Sequence, residues 1–258
     1  MKITINDKNK KEIFVSLFQI LKNCTNIVCV TFEKERFFIQ GMDKSHVCLF
    51  NVEIVKSWFH EYNVENEIKL SFDTSIFHTI ISTKQDSHDI IIHANDDETD
   101  HLNIDLISHN LKSDFNKFFK IPLADYEHNL MDIDNIEYDA EFLINSKKIC
   151  DIFSQMIFFG KDINIKCTEN KMDIVTDGIT GEMLVNIPID DLCEFSIVEG
   201  EELNLKYSLS YINKMCLTNK LTDEIGFSIS NQAPMKIKYD LGDNSSVIFF
   251  IAPKVNDD

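Results

Sequence analysis

The stretch GMDKSHVCLF, residues 41–50, sets an acid, a hydroxyl and an imidazole within four positions: Asp43, Ser45 and His46. Those are the side-chain types with which a hydrolase activates a serine. The spacing argues against that chemistry. A triad needs groups converging from separate parts of a fold, with the base hydrogen-bonded to both partners. Within one short loop the three side chains diverge along the backbone, and no G-x-S-x-G elbow accompanies them. There is no Gly-rich phosphate loop, and the eight histidines are scattered without a zinc spacing. The sequence therefore predicts a polar turn between two strands at this position, in a protein with no catalysis, no cofactor and no metal.

The bulk composition narrows the partners. With 258 residues, 44% of them hydrophobic, and only seven glycines and four prolines, the chain has material for one large domain or two ordinary ones. A formal charge of −18 repels nucleic acid and anionic membrane in the far field. Any contact with DNA then requires lysines gathered on one surface. Arg36 is the only arginine, so bidentate reading of bases is nearly excluded, while non-specific lysine–phosphate contact remains open. The seven cysteines (24, 29, 48, 150, 167, 193, 216) include no C-x-x-C pair and mostly sit in apolar runs. They predict reduced core thiols of an intracellular protein. The N-terminal MKITINDKNKKEIF lacks a signal-peptide core, and the apolar runs fall far short of a membrane span.

The elements that position these residues are written twice. LSFDTSIFHTI (70–80) and LKYSLSYINKM (205–215) match in apolar positions at Leu70/Leu205, Phe72/Tyr207, Ile76/Tyr211, Phe77/Ile212 and Ile80/Met215. The same 135-residue offset carries Phe14, Leu17, Phe18 and Leu21 onto Ile149, Ile152, Phe153 and Met156, which is the core stripe of an amphipathic helix. It also carries Asn51, Val52 and Ile54 onto Asn186, Ile187 and Ile189. Three separated blocks in one register argue for two similar halves.

Each half reads as a short strand, a helix, three strands, a second helix and further strands. The helices are expected at about 8–23 and 73–83, then at about 146–158 and 208–218. The first-half strands are MKITI, IVCVTF, RFFIQG, VCLFNVEI, DIIIHA, HLNIDLI and FFKIPL. Those of the second half are EFLI, INIKC, MDIVTDG, MLVNIPI, IGFSIS, MKIKYDL and SVIFFIA. Strands outnumber helices and many are hairpin neighbours, which predicts an α+β fold with largely antiparallel sheets.

Charge is sorted between elements. Lys8, Lys11 and Lys22 share one face of the first helix, Lys147 and Lys148 open its mate, Lys214 lies on the fourth helix, and Lys220 follows it. The acids concentrate at 95–100, 131–141, 189–202 and the terminal NDD. Helix faces nearly without acid in so acidic a chain imply segregation.

Four short motifs, in order, give the chain a relative. GMDKSHV (41–47) resembles the S-M-D-S-S-H-V stretch of the eukaryotic sliding clamp, the proliferating cell nuclear antigen family. DYEHNLMDID (125–134) resembles the segment entering that family's interdomain connector. Ala233-Pro234 resembles its strand just upstream of the end, and IAPK (251–254) its terminal L-A-P-K. The likeness covers essentially the whole chain. It implies two similar clamp domains, 1–127 and 138–258, joined by a connector at 128–137. Each domain would be two helices backed by antiparallel sheets. Three subunits would close head to tail into a ring with helices lining the hole.

In that reading the protein is a DNA sliding clamp and polymerase processivity factor. Its partners are double-stranded DNA, a polymerase and other replication and repair proteins, a clamp loader, and two further copies of itself, but no membrane. Lys8, Lys10, Lys11, Lys22, Lys84, Lys147, Lys148, Lys214 and Lys220 would meet phosphates. Met42, His46, Val47, Leu49, Met131, Ile133, Ile136, Pro234, Phe250, Ala252 and Pro253 would wall a pocket for partner peptides with an aliphatic and an aromatic anchor. One of Phe249 and Phe250 would face the strand core. Each buried anchor would contribute about 1.5–3 kcal/mol before ordering costs. Tyr126 matches a subunit-contact position. The implied location is the nucleus, or a cytoplasmic replication site for a viral chain.

The sequence also departs from the family. After Asp134 the connector is short, with only Asn135, Ile136 and Glu137 before Tyr138. Asp151 and Leu217 stand where the family has basic residues, and His128 and Asn129 replace the usual residues beside the connector. These departures keep two alternatives open: a divergent subunit of a heteromeric, checkpoint-type ring, and a viral-type factor that binds DNA without a closed ring.

Overall fold

The computed structural model describes residues 1–94, 100–110, 114–126, 129–133, 136–215 and 219–254. The acids at 95–99, His128, Asp134, Asn135, Cys216, Leu217 and the terminal NDD, all singled out from the sequence, lie outside the described residues. The chain forms two compact units. The first takes in residues 1–44, 50–131 and 240–247, and the second residues 45–49, 132–239 and 248–258.

In the first half of the chain, β1 (Lys2–Ile5) leads to α1 (Lys8–Cys24), then β2 (Ile27–Phe32), β3 (Arg36–Met42), β4 (Cys48–Val55), β5 (Glu61–Asn63) and β6 (Ile68–Asp73). Helix α2 (Thr74–Ser82) and strands β7 (His88–His93), β8 (His101–Ser108) and β9 (Lys117–Pro122) complete it. The second half of the chain repeats the series. It runs β10 (Ala140–Asn145), α3 (Ser146–Met156), β11 (Asp162–Cys167), β12 (Lys171–Gly178), β13 (Gly181–Pro188), β14 (Glu194–Ile197), β15 (Leu203–Ser208), α4 (Leu209–Met215), β16 (Glu224–Ser230), β17 (Ala233–Gly242) and β18 (Ser245–Ile251).

The strand orders repeat as well. One series runs β5-β1-β7-β8-β9, and its counterpart β14-β10-β16-β17-β18. The other runs β4-β3-β2-β6, and its counterpart β13-β12-β11-β15. Registers such as Val30↔Ile39 and Asn164↔Val175 are antiparallel. Alternate residues therefore turn inward, and β8 and β17 bury every second side chain along most of their length.

Local chemistry starts and stops the helices. Asp7 caps α1 by accepting from the Lys10 amide at 2.9 Å, and Asp73 caps α2 through Ile76 at 2.8 Å. Asn145 caps α3 through Lys148 at 3.1 Å. Extended Thr25 ends α1 and returns its amide to the Leu21 carbonyl. The stripe Phe14, Leu17, Phe18 and Leu21 is fully buried. Phe18 packs within 4.4 Å of Phe77 on α2, and Phe77 lies 4.7 Å from Phe72 on β6. The repeat keeps this plan with Ile149, Phe153 and Met156 buried on α3, and Ile152 half-buried. Phe142 stacks on Phe227 at 5.0 Å beneath them.

All expected helices form. The sequence missed four strands, β5, β6, β14 and β15, and each lies at the end of its sheet's strand order. β5 and β14 are only three and four residues long, while β6 and β15 alternate apolar and polar residues but run directly into α2 and α4, whose helical period dominates the same stretch. The thiols also need a correction. Cys24, Cys48 and Cys167 are buried as expected, but Cys29 and Cys150 are half-buried and Cys193 is exposed. Cys193 follows the acidic turn 189–191, where the chain skirts the surface.

Candidate DNA-contact and partner-docking faces

The helices carry Lys8, Lys10, Lys11, Lys22, Lys147, Lys148 and Lys214 against only Glu12 and Asp151. The two units use these lysines differently. In the first unit most are engaged. The Lys8 ammonium lies 2.6 Å from Asp86, an exposed pair that raises the lysine pKa and lowers that of the aspartate through their mutual hydrogen bond. Lys10 donates to the Trp58 carbonyl at 2.9 Å and to Asp243 at 3.1 Å, with its ammonium over the Trp58 ring. Lys84 lies 2.6 Å from Glu12 and its side chain is only 7% exposed. Lys22 reaches Nδ1 of His78 at 3.1 Å.

Lys11 corrects the sequence reading outright. Expected on the solvent face with Lys8 and Lys22, it is 2% exposed. Its ammonium donates to the carbonyls of Asp86 at 2.9 Å and His88 at 2.6 Å. Burial pulls its pKa down, because the interior disfavours the charged form. Helical periodicity groups Lys11 with the polar residues; it does not show that residues 86–88 cover that position. Glu12 and Asp86, which neutralise Lys84 and Lys8, were likewise missed. Asp86 sits in the loop after α2, and only tertiary structure brings it to α1.

In the second unit Lys147, Lys148 and Lys220 are exposed. Lys214 is half-buried, with its ammonium 5.0 Å from the Tyr211 ring centre. Asp151 is exposed on α3 and reduces the local positive potential.

The docking residues divide by unit. In the second, the Ala252 amide donates to the Val47 carbonyl at 3.1 Å, which sets 45–49 alongside 250–253. Val47, Leu49, Pro234 and Phe250 are half-buried, and His46, Ala252 and Pro253 are exposed. Ile133 and Ile136 are each 36% exposed. Phe249 is fully buried, so it is the member of the Phe249-Phe250 pair that enters the core. In the first unit Met42 is half-buried and Met131 is 47% exposed. Gly41 beside Met42 has no room for a side chain: a Cβ there would come within 2.5 Å of the Phe50 ring.

Tyr126 is exposed, and its carbonyl accepts from the Ser71 hydroxyl at 2.6 Å. Nearby, Ile27, Asp73, Ile76 and residues 121–124 line a cleft of about 170 Å³. Asp43 is 4% exposed, whereas Ser45 and His46 lie at the surface, His46 with a left-handed φ of 56°. Acid, hydroxyl and imidazole thus occupy different environments. Among the described residues no group of three or more His, Cys, Asp or Glu is arranged to hold a metal ion. No described helix is long and apolar enough to cross a membrane.

The fold and these faces define a duplicated α+β module, each half a helix pair on antiparallel sheets with lysine-bearing helices. The family models agree. The model described as "Proliferating cell nuclear antigen, N-terminal domain" matches residues 7–138, and "Proliferating cell nuclear antigen, C-terminal domain" matches 132–254. The chain belongs to the proliferating cell nuclear antigen family. It is 26% identical to proliferating cell nuclear antigen 1 of Plasmodium falciparum, over 97% of this chain and 96% of that one. It is 24% identical to the proliferating cell nuclear antigen of Saccharomyces cerevisiae, over 95% and 96%. Two solved structures share the fold at a TM-score of 0.87, each covering 98% of this chain and 99% of the other. They are a proliferating cell nuclear antigen from Thermococcus kodakaraensis, 19% identical, and a PCNA2–PCNA3 complex from Sulfolobus tokodaii, 21% identical.

Proposed function

We propose that the chain is a DNA sliding clamp and polymerase processivity factor that closes head to tail as a homotrimer around duplex DNA. The observation that carries this reading is the duplicated fold in a chain matched from residue 7 to 254 by the two domain models of one clamp family. The clamp domains are 1–127 and 138–258, with the connector at 128–137. The protein holds its partners by topology and peptide docking and performs no catalysis.

Sheet edges support self-association. Strands β9 and β13 each end a sheet in the strand order. They carry exposed Phe118, 68% exposed, and Leu184, 57% exposed. An edge strand with exposed apolar side chains is a template for another strand. Two different edges on one chain favour a heterologous contact, which closes into a ring when the rotation permits. Tyr126, just beyond β9, belongs to that contact.

Phosphate contact falls to exposed Lys147, Lys148 and Lys220 and half-buried Lys214, with Lys8, Lys10 and Lys22 in support; Lys84, 7% exposed and paired with Glu12, is withdrawn from the set. Lysine point charges attract phosphates at any rotation of the duplex, which suits sliding. Met42, His46, Val47, Leu49, Met131, Ile133, Ile136, Pro234, Phe250, Ala252 and Pro253 take the anchors of partner peptides from a polymerase and other replication and repair proteins. A loader opens the ring, and the site of work is the nucleus or a viral replication site.

Solution mass together with polymerase stimulation on a long primed template tests the reading. A trimer that stimulates synthesis is expected; a monomer without stimulation would overturn it. The solved PCNA2–PCNA3 relative motivates one second reading, a subunit of a mixed ring. Recovery of the chain only with unlike clamp chains would favour that reading.

A further inference from the structure

The segment that follows β9 is held by two buried side chains. Ser71 on β6, 6% exposed, takes the Ala124 amide on its carbonyl at 2.7 Å and gives its hydroxyl to the Tyr126 carbonyl at 2.6 Å. Gln40 on β3, also 6% exposed, closes the other end. Its Oε1 accepts from the Met131 amide at 2.6 Å, and its Nε2 donates to the Met131 carbonyl at 3.0 Å. This two-way clasp satisfies both backbone groups of a residue outside any helix or strand, as a neighbouring β-strand would. With the main chain pinned inward, the side chains of Leu130 and Met131 stay 57% and 47% exposed.

From this geometry we infer that Gln40 is a positioning residue for partner docking. It fixes the backbone at Met131 so that Leu130 and Met131 are presented to an incoming peptide with aliphatic and aromatic anchors. The inference rests on the peptide-docking reading above. Gln40 touches no peptide itself; its buried amide removes the ordering cost that a loose segment would charge against binding.

The test uses Gln40→Met and Gln40→Ala in the full chain, with a fluorescent peptide carrying an aliphatic and an aromatic anchor. Gln40→Met keeps the volume and deletes the amide. The expected result is faster hydrogen exchange at the Met131 amide and peptide binding weaker by about tenfold, the scale of removing one or two hydrogen bonds. Solution mass should be unchanged. Peptide binding at wild-type strength in Gln40→Met, despite faster exchange at Met131, overturns the positioning role. Unchanged exchange at Met131 overturns the clasp itself. A wild-type protein that ignores the peptide overturns the docking reading, and the inference with it, which is a different outcome from a variant-specific result.

Discussion

The Lys11 ammonium donates to the carbonyl of His88 at 2.6 Å, and 2% of the residue reaches solvent. A cation drawn from the polar face of α1 thus ties that helix to the start of β7. Replacing Lys11 with methionine should destabilise the fold by about 1–3 kcal/mol, because buried carbonyls lose their donor. Denaturant unfolding measures that loss. The salt dependence of DNA retention should not change, and a flatter dependence in Lys11→Met would return Lys11 to the DNA-contact set.

Lys147 and Lys148 should behave in the opposite way. Changing both to alanine should leave stability within about 0.5 kcal/mol, as for most surface substitutions. The slope of log affinity against log salt for duplex DNA should flatten by about 0.9 for each phosphate that is no longer neutralised. An unchanged slope would place the phosphate-binding lysines elsewhere.

Edge charge should control assembly. Phe118→Asp on β9, or Leu184→Asp on β13, puts a carboxylate on an exposed apolar position of an edge strand. Both side chains are solvated in the single chain, so monomer stability should hold while sedimentation shows loss of the trimer. Persistence of a trimer in both variants would exclude these edges from the subunit interface.

His78 gives a pH dependence. Burial, reinforced by the Lys22 ammonium, holds its imidazole below the ordinary 6.5. The unfolded chain therefore binds a proton at a pH where the native chain does not. Stability contributed by neutral His78 is complete above about 6.5 and is lost as pH falls from there toward the depressed native value. Proton NMR titration should find His78 below 6.5. Lys22→Ala should raise it only in part, since burial is the larger cause. A native His78 titrating at or above 6.5 would contradict this.

The duplication was legible because it rests on periodicity. The apolar stripe of α1 recurs in α3, and the β6–α2 junction at 68–82 recurs at 203–215 as β15–α4. Helix caps at Asp7, Asp73 and Asn145 are local and could be read from residue type and position. Edge strands were harder, since β5 and β14 span only three and four residues.

Sequence alone determined two similar halves, four helices, an acidic chain with lysines on its helices, and a loop that carries Asp43, Ser45 and His46. Tertiary structure decided which lysines are available. Lys11 is buried by residues 86–88, Lys84 is matched by Glu12, and Lys8 by Asp86, from positions 72 to 78 residues away in the chain. It also decided that Gln40 would clasp Met131, 91 residues on. Periodicity reports which way a side chain leaves its own element. It is silent about what another element, folded back from a distant part of the chain, will set in front of it.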